Sequence, residues 1–600
     1  MMKSAIYSTM RKSLSEAAAP GSLLRHYADK LNLADLGRTL VGWKNEMLFG
    51  LALLLVGIFL FFRVDQIPGG LLDPRFNNYV LEHDYRWLIG LDKSFWSAPF
   101  FYPAPNVIAY SDNHLGTFLF YSAFRFLGAS RESAYQLWAV TLFSMNYLVT
   151  WIALRKQGFH PVGAIASAYL FTFTLIMAAQ RAHLQLAPRF MIPVAFLMAS
   201  RFMDSGKAKY LHWLLAACAY QIYIGIYTGY FLLLSVSAFL FVLFLLRRRW
   251  ENFRTFVTTS ERSAIIQRGY AYAASCIGFV VALLPLAIPY YRAQKEIRPS
   301  PWSVVASLLP RWESYFHAGT SVVWGRFLRF GDNLSDEHTM FVGALPIFAL
   351  LAFLYLAQRR KLSGADSKIG FAMVGAILLP AILTMNFSGL TFYRYVWANI
   401  PGAGGIRAVS RIMLVLIYPI AFVFGLMVTR IIARLSRGSS GYKSFSQTLF
   451  KISVLGLTVV DQLSAVTGTS KQECERRVAT MQAKIVRVRA KEVSRNVLWL
   501  TQERGDGIDS QNERLRDSTV EILDAMLAGQ AIGLNVVNGY SGYLPKNYPP
   551  SLFFMNGDCC NGLKIWAEAH PGAITNVSLL EIGQHCEMED GPSPSVLWTK

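Results

Sequence analysis

The sequence predicts a polytopic α-helical membrane protein with about 11 transmembrane helices and a small C-terminal α/β domain. Three observations support this class. First, 53% of the 600 residues are hydrophobic and only 16% are charged, whereas soluble domains are usually about a quarter charged. Second, long uncharged runs recur along the chain, as membrane spans require. Third, Lys and Arg cluster beside those runs.

The net charge of +21 would indicate nucleic-acid binding in a soluble protein. Here many of the basic residues flank hydrophobic segments, which is the pattern of cytoplasmic loops in membrane proteins. We therefore exclude a nucleic-acid-binding protein. The six cysteines show no CxxC or Cys/His ligand spacing, which argues against a zinc site.

The chain divides into three predicted regions. Residues 1–45 form a basic amphipathic segment, expected on the cytoplasmic face of the inner (plasma) membrane. Residues 46–465 hold the membrane spans and the first outer loop, residues 64–114. Residues 466–600 change to charged helical and strand-like stretches, and they predict an extracytoplasmic α/β domain.

The boundaries of the spans follow from basic clusters that mark the cytoplasmic side. The run 210–246 has no Lys, Arg, Asp or Glu, and at about 1.5 Å per residue it is too long for one bilayer core of about 30 Å. Because both of its flanks are basic, we predict two short crossings with a turn near 221–229. The 11 predicted spans are 47–62, 133–154, 161–179, 184–203, the two halves of 210–246, 270–291, 339–357, 369–391, 412–429 and the weaker 452–460.

The first outer loop is the part of the chain best suited to chemistry. It places many ionisable side chains among aromatic residues and prolines, directly after a hydrophobic span. A polar stretch so rich in carboxylates, held against a membrane, is a candidate active site. Its ionisable residues include Asp73, Arg75, Glu82, His83, Asp84, Arg86, Asp92 and Asp112.

Arginines occur on the predicted outer side, where the positive-inside rule should remove them. The guanidinium group suits bidentate phosphate recognition. Each arginine taken alone is better explained as an interfacial anchor or a member of an internal ion pair than as a ligand-binding residue. As a set facing the carboxylate-rich loop, they indicate an anionic ligand. The set is Arg75, Arg181, Arg189, Arg311, Arg326, Arg394, Arg407 and Arg411.

Several segments combine charged residues with prolines, glycines and aromatic residues near the ends of the predicted spans. They are Asp73-Pro74-Arg75-Phe76, Leu81-Glu82-His83, Ala109 to Gly116, Arg181 with His183, Pro310 to Glu313, Glu337 to Gly343 and Ile400 to Arg411.

Over roughly residues 45–435, this arrangement resembles the GT-C superfamily of integral-membrane glycosyltransferases, and it is similar to an uncharacterised bacterial branch. The resemblance implies transfer of a sugar from a polyprenyl-phosphate donor to an extracytoplasmic glycan, lipid or protein of the cell envelope. Pro74 follows Asp73 where many members have a second acid, so the catalytic carboxylate and the need for a divalent cation stay open.

Glycosyl transfer needs a carboxylate that takes the acceptor proton and cations that stabilise the departing phosphate. Asp73 is the first candidate for the base, with a helix cap or turn residue as its alternative. Asp112 is the second candidate, with sugar binding or helix capping as alternatives. No metal ligand is predicted. The predicted substrate-binding residues are Arg75, Glu82, His83, His114, Arg181, His183, Arg311, Glu337, Arg394, Arg407 and Arg411.

Some of these residues have structural alternatives as well. Glu82 and His83 suit a supporting role in the loop, and Glu337 suits the start of a span. The turn-rich loop from Asn538 to Pro550 either lines an acceptor groove or is a packed turn. Two other functions stay open: a transporter or flippase of a lipid-linked glycan, which more typically has paired halves and charges at mid-membrane, and a non-catalytic scaffold.

Overall fold

The computed structural model describes residues 44–246, 262–328, 334–400, 402–436, 441–490, 495–500, 511–554, 559–570 and 578–582. The basic segment predicted for residues 1–45 lies outside the described residues except for its last two. The chain falls into two units, Met1–Val56 and Gly57–Lys600. In the first unit the structure describes only the beginning of one helix.

Helices, many of them apolar, make up most of the described chain before residue 462. They are α1 (Lys44–Phe61), α2 (Asp73–Leu88), α3 (Phe118–Phe126), α4 (Arg131–Arg155), α5 (Pro161–Thr172), α6 (Leu175–Ala179), α7 (Met191–Ser205), α8 (Ala208–Ile224), α9 (Ile226–Leu246), α10 (Arg262–Glu296), α11 (Trp302–Ser307), α12 (Ala344–Gln358), α13 (Gly364–Thr384), α14 (Tyr393–Asn399), α15 (Met413–Leu435) and α16 (Gly441–Asp461).

Seven described stretches are long and apolar enough to cross a membrane. The predicted class of helical membrane protein is therefore confirmed. The last of the seven is buried along its whole apolar window, whereas Ile265–Glu296 is only 11% buried and lies at the periphery. The seven are Arg131–Arg155, Pro161–Ala179, Leu184–Ser205, Ile226–Leu246, Ile265–Glu296, Gly364–Thr384 and Val409–Leu435, and the shorter apolar helices are Glu46–Phe61 and Ala344–Gln358.

The uncharged run 210–246 is broken into two helices, α8 and α9, at Gly225. The break lies inside the predicted turn. Gly225 has extended backbone angles, and the side chain of Gln221 donates to the Pro188 carbonyl and to the Thr228 hydroxyl, both at 2.9 Å. These contacts satisfy polar groups at the break, which a helix end needs inside a protein.

Charged residues mark the two ends of the buried helix. Arg411 lies just before α15, while Arg430 and Arg434 lie near its end. Arg430 pairs with Asp366, and Arg434 donates to the Lys361 carbonyl at 2.7 Å. Arg411 and Arg430 are 19 residues apart in sequence, so their separation along the helix is roughly 28 Å. This is about the thickness of a bilayer core, roughly 30 Å.

The described part of residues 466–582 combines helices with short strands. Strand β2 (Gly468–Ser470) pairs antiparallel with β1 (Gln66–Pro68), which follows α1. A parallel sheet has β3 (Arg495–Leu500) between β4 (Asn535–Val536) and β5 (Ser578–Ile582). The helices of this region are α17 (Lys471–Arg489), α18 (Gln511–Ile532), α19 (Pro550–Phe554) and α20 (Cys559–Glu568).

The first outer loop and this C-terminal region share one hydrophobic core. Buried aromatic side chains of the loop, such as Phe76 and Phe100, cluster with Trp499, Met526 and Trp566. Arg75 also joins the first outer loop to the C-terminal region, because its guanidinium contacts the Asp524 carboxylate at 2.5 Å. The C-terminal region is therefore held against the loop, and its own loops lie beside the start of α2.

Candidate active site

A cavity of about 1010 Å³ opens where the first loop, several helix ends and the C-terminal region meet. Its wall is mixed, with carboxylates and arginines on one part and aliphatic side chains of α10 on another. A cavity with an apolar lining and a few convergent polar groups is the usual form of a small-molecule site. The lining includes Asp73, Asn77, Asp112, His183, Gln185, Tyr227, Leu283, Leu286, Ala287, Tyr290, Arg407, Arg411, Tyr540, Gly542 and Tyr543.

Asp73 is the first residue of α2, and Pro74 follows it at a position that a helix start favours. Its carboxylate does not cap the helix and instead receives two contacts from other parts of the chain. The Tyr540 hydroxyl donates to Oδ1 at 2.5 Å, and Nδ1 of His183 lies 3.0 Å from Oδ2. The side chain is 28% exposed, so solvent or a ligand in the cavity reaches it.

His183 lies between two carboxylates. Its Nδ1 faces Asp73, and its Nε2 lies 3.6 Å from Oε1 of Glu337. The contact to Asp73 is within hydrogen-bond distance, whereas the contact to Glu337 is longer than a hydrogen bond. The ring therefore lies between the two acids and contributes to the lowered pKa of each.

Glu337 is held by Arg411 and Gln180. Arg411 reaches it through Nη2 at 2.5 Å and through Nε at 3.1 Å, and the Gln180 amide donates at 3.0 Å. A bidentate Arg–carboxylate contact fixes the position of both groups. Burial of Glu337 opposes ionisation, but Arg411, His183 and Gln180 outweigh burial and lower its pKa. Glu337 is therefore an anion that holds Arg411, a residue of the cavity wall, in place.

Asp73 and Asp112 differ in their tendency to ionise. Burial of Asp73 favours its neutral form, yet the hydrogen bonds from His183 and Tyr540 and the positive charge of Arg411 lower its pKa. Burial of Asp112 is stronger than the attraction to Arg411 and His183, so its pKa rises to about 6. At neutral pH Asp73 is therefore ionised, and Asp112 titrates closer to neutrality.

Arg407 also lines the cavity. Its amide donates to the Tyr227 hydroxyl at 3.1 Å, and its guanidinium reaches the Gly542 carbonyl at 3.4 Å. Among the described residues, the structure gives Arg407 no carboxylate partner, in contrast to Arg411. Arg407 therefore retains more of its capacity to bind an anion in the cavity.

Several predicted site residues have partners outside the cavity. Arg75 contacts Asp524, and Glu82 accepts hydrogen bonds from Arg125 and Tyr121. His83 lies 2.9 Å from Asp92 and 3.0 Å from the Phe95 carbonyl. These contacts stabilise the first outer loop and hold it against α3 and the C-terminal region. For Glu82 and His83, this matches the supporting role given above as their structural alternative.

The other predicted residues take varied positions. His114 lies 3.0 Å from Asn77, which in turn donates to Gln185, so it supports two residues of the cavity wall. Arg181 donates to the Ala465 carbonyl at 2.6 Å and stacks over Phe61. Arg311 and Arg394 are not among the lining residues. Of the predicted site residues, the cavity thus brings together Asp73, Asp112, His183, Arg407 and Arg411. Glu337 is not among the lining residues and contacts two of them, His183 and Arg411.

Tyr540 and Gln180 complete the cluster but were not predicted as site residues. Gln180 lies three positions before His183. Tyr540 belongs to the Asn538–Pro550 loop, whose aromatic and turn-forming residues were the one sequence signal for an acceptor groove. The loop is fixed by Asn538, which is fully buried and exchanges hydrogen bonds with the Leu500 amide and carbonyl.

Within the described residues, no group of three or more His, Cys, Asp or Glu side chains is arranged to hold a metal ion. No family model matches the sequence, and no curated protein matches it either. We therefore infer the function from the geometry and chemistry of this cavity.

Proposed function

We propose that this protein is a membrane glycosyltransferase that moves a sugar from a polyprenyl-phosphate donor to an extracytoplasmic glycan, lipid or protein acceptor. One observation carries the proposal: an ionised carboxylate, two arginines and an aliphatic surface line the same cavity. Such a cavity offers a base for a hydroxyl group, cations for a phosphate and an apolar surface for a lipid.

The donor phosphate binds at Arg407. A charge-assisted contact from a guanidinium to a phosphate is strong and directional. Arg411 adds positive charge at the same wall, although its hydrogen-bonding edge is occupied by Glu337. Both cations stabilise the negative charge that develops on the phosphate when it leaves.

The prenyl chain leaves the cavity along α10. Leu283, Leu286 and Ala287 of this helix line the cavity, while Leu284 and Ile288 on its other side are 45% and 46% exposed. An exposed apolar surface on a peripheral membrane helix faces lipid. The helix therefore offers a continuous apolar path from the cavity to the bilayer.

Asp73 acts as the base. The acceptor oxygen bonds to the anomeric carbon while the bond from that carbon to the phosphate oxygen breaks. The electron pair leaves with the phosphate as polyprenyl phosphate, and the acceptor proton moves to Asp73. His183 holds Asp73 in place and balances its charge. Asp112, with its higher pKa, binds a sugar hydroxyl beside the reacting centre.

The proposal includes the predicted topology of eleven spans. Two further helices, α8 and α16, join the seven long and two shorter apolar helices to make this number. The cavity lies at the end of α15 opposite Arg430, so basic flanks such as Lys361 and Arg434 face the cytoplasm. The C-terminal region, which packs against the first outer loop, is then extracytoplasmic.

Thiol labelling tests the topology. Cys559 should react with a membrane-impermeant reagent in intact cells, under reducing conditions and with the protein folded or gently denatured. Labelling that requires permeabilisation of the inner membrane would place the C-terminal region in the cytoplasm and overturn this half of the proposal.

A transfer assay tests the activity. Purified protein in lipid vesicles is given a panel of polyprenyl-phosphate hexoses and pentoses together with cell-envelope acceptors. The expected result is release of polyprenyl phosphate and appearance of glycosylated acceptor, both lost in the Asp73→Asn variant. Movement of a lipid-linked glycan across the bilayer without consumption of donor would instead identify a transporter.

A further inference from the structure

Tyr540 is hydrogen-bonded to Asp73, the carboxylate that the proposed reaction uses as its base. Its hydroxyl is a single donor aimed at Oδ1 of Asp73 at 2.5 Å, while His183 takes Oδ2. An acceptor hydroxyl that gives its proton to Asp73 must approach the same carboxylate as a donor. The phenol of Tyr540 thus occupies the kind of position that the acceptor hydroxyl needs.

The backbone around Tyr540 is held in place, so its hydroxyl moves by rotation of the side chain. Asn538 ties the loop to β3 on one side. At Gly539, an added Cβ would lie 2.4 Å from the Phe101 ring, so the loop backbone packs directly against the first loop. The Tyr540 ring lies edge-on to Phe76, with their centroids 5.5 Å apart.

Water is the competitor that this site must exclude. Asp73 is 28% exposed, and a base within reach of water activates water as readily as a sugar hydroxyl. The donor would then be hydrolysed: water oxygen bonds to the anomeric carbon, the phosphate leaves with its electron pair, and the proton moves to Asp73. Burial and the charge of Asp73 raise the pKa of Tyr540, so its hydroxyl stays a hydrogen-bond donor.

We infer that Tyr540 is a specificity-determining residue: it covers the base in the absence of acceptor and is displaced by the acceptor hydroxyl but not by water. This inference rests on the proposed glycosyl transfer. Tyr540 is tethered beside Asp73 and outcompetes a free water molecule for the same lone pair. An acceptor sugar gains binding free energy from the rest of the cavity, and it uses this free energy to displace the phenol.

The test compares donor hydrolysis with transfer in the Tyr540→Phe variant. The substitution keeps the ring and its contact with Phe76 but removes the hydroxyl. Without acceptor, hydrolysis of the polyprenyl-phosphate sugar should rise roughly ten- to hundred-fold, the usual effect of losing one hydrogen bond to a charged group. The ratio of hydrolysis to transfer at saturating acceptor should rise with it, because the acceptor displaces the phenol in the parental protein.

Two further variants make the result specific. Tyr548→Phe removes a hydroxyl from the same loop, where it faces the Val537 carbonyl at 3.4 Å, and it should leave hydrolysis unchanged. Adding Asp73→Asn to Tyr540→Phe should abolish the extra hydrolysis, because water is activated through Asp73.

Three outcomes overturn the inference. Unchanged hydrolysis in Tyr540→Phe would show that the phenol excludes nothing. A parallel loss of hydrolysis and transfer would show that it assists the base directly. Extra hydrolysis that survives Asp73→Asn would place water activation elsewhere. A wild-type protein that consumes no donor fails the transfer assay and overturns the proposed function as well, which distinguishes it from these three results.

Discussion

Helix α2 takes part in two clusters of acidic, histidine and arginine side chains. The two clusters differ in whether a ligand in the cavity can reach them. At the start of α2, Asp73 meets His183, and through it Glu337 and Arg411, at the wall of a cavity. Nine residues further along the helix, Glu82 accepts a hydrogen bond from Tyr121 and two hydrogen bonds from Arg125, at 2.8 and 2.9 Å. The second cluster is not among the residues that line the cavity.

The comparison shows that residue types alone do not define an active site. The acid, Glu82, accepts three hydrogen bonds from inside the protein, and the adjacent His83 is fully buried with a partner on each ring nitrogen. Such a closed network stabilises structure. The Asp73 cluster has the same chemistry but is partly exposed to a cavity, where a substrate can enter.

The largest effect is expected from Asp73→Asn. This change preserves the shape of the side chain and one accepting oxygen but removes the proton acceptor. General-base catalysis contributes roughly 10²–10⁴-fold, so turnover should fall by this factor while donor affinity changes little. The measurement is steady-state transfer in vesicles, with the amount of inserted protein determined for each variant.

Asp112→Asn and Glu337→Gln test the competing assignments in the same assay. If Asp73→Asn transfers sugar at the parental rate while Asp112→Asn is inactive, the base is Asp112. Full transfer in all three variants would mean that none of these carboxylates is the base and that the first loop is a scaffold.

The second effect concerns the arginines. Arg407→Lys should weaken donor binding about ten- to hundred-fold, because a lysine cannot make a bidentate contact to phosphate. Arg411→Lys should weaken donor binding less, since its guanidinium is largely engaged by Glu337. Arg394, which is outside the lining and lies over Trp302, provides the matched control Arg394→Lys. Equal donor affinity in all three variants, measured by equilibrium binding, would identify the arginines as structural.

The third effect, on the free energy of unfolding, distinguishes the Glu82 cluster from the Asp73 cluster. Glu82→Gln should lower the free energy of unfolding by about 1.5–3 kcal/mol, because it weakens charge-assisted hydrogen bonds from Arg125. Its rate of transfer per folded molecule should stay at the parental value. Thermal unfolding in detergent, followed by activity measurements on the folded fraction, checks both. A loss of turnover with unchanged stability would place Glu82 in the site.

The smallest change is expected in the pH dependence of kcat/KM. The lowered pKa of Asp73 keeps it ionised as the pH falls, so kcat/KM should stay level from about pH 7.5 to about pH 5. Asp112 instead takes up a proton as the pH falls through about 6. An acid limb near pH 6 that disappears in Asp112→Asn would therefore show that the Asp112 charge takes part in the reaction.

Much of the architecture was predictable because hydropathy and charge act locally. Long apolar runs identified a helical membrane protein, and the uncharged run 210–246 breaks at Gly225, inside the predicted turn. The count of eleven spans and the orientation stay predictions. The helix Gly441–Asp461 begins well before the predicted segment 452–460, since polar residues at a helix start weaken a hydropathy signal.

The sequence by itself determined the class of the protein and drew attention to Asp73, His183, Glu337 and the arginines, because their residue types are unusual beside membrane spans. Only the tertiary structure decided which of them meet. Tyr540 reaches Asp73 across 467 positions of the chain, and Arg411 reaches Glu337 across 74. Contacts at such separations depend on how whole helices pack, and no local pattern of residues records that packing.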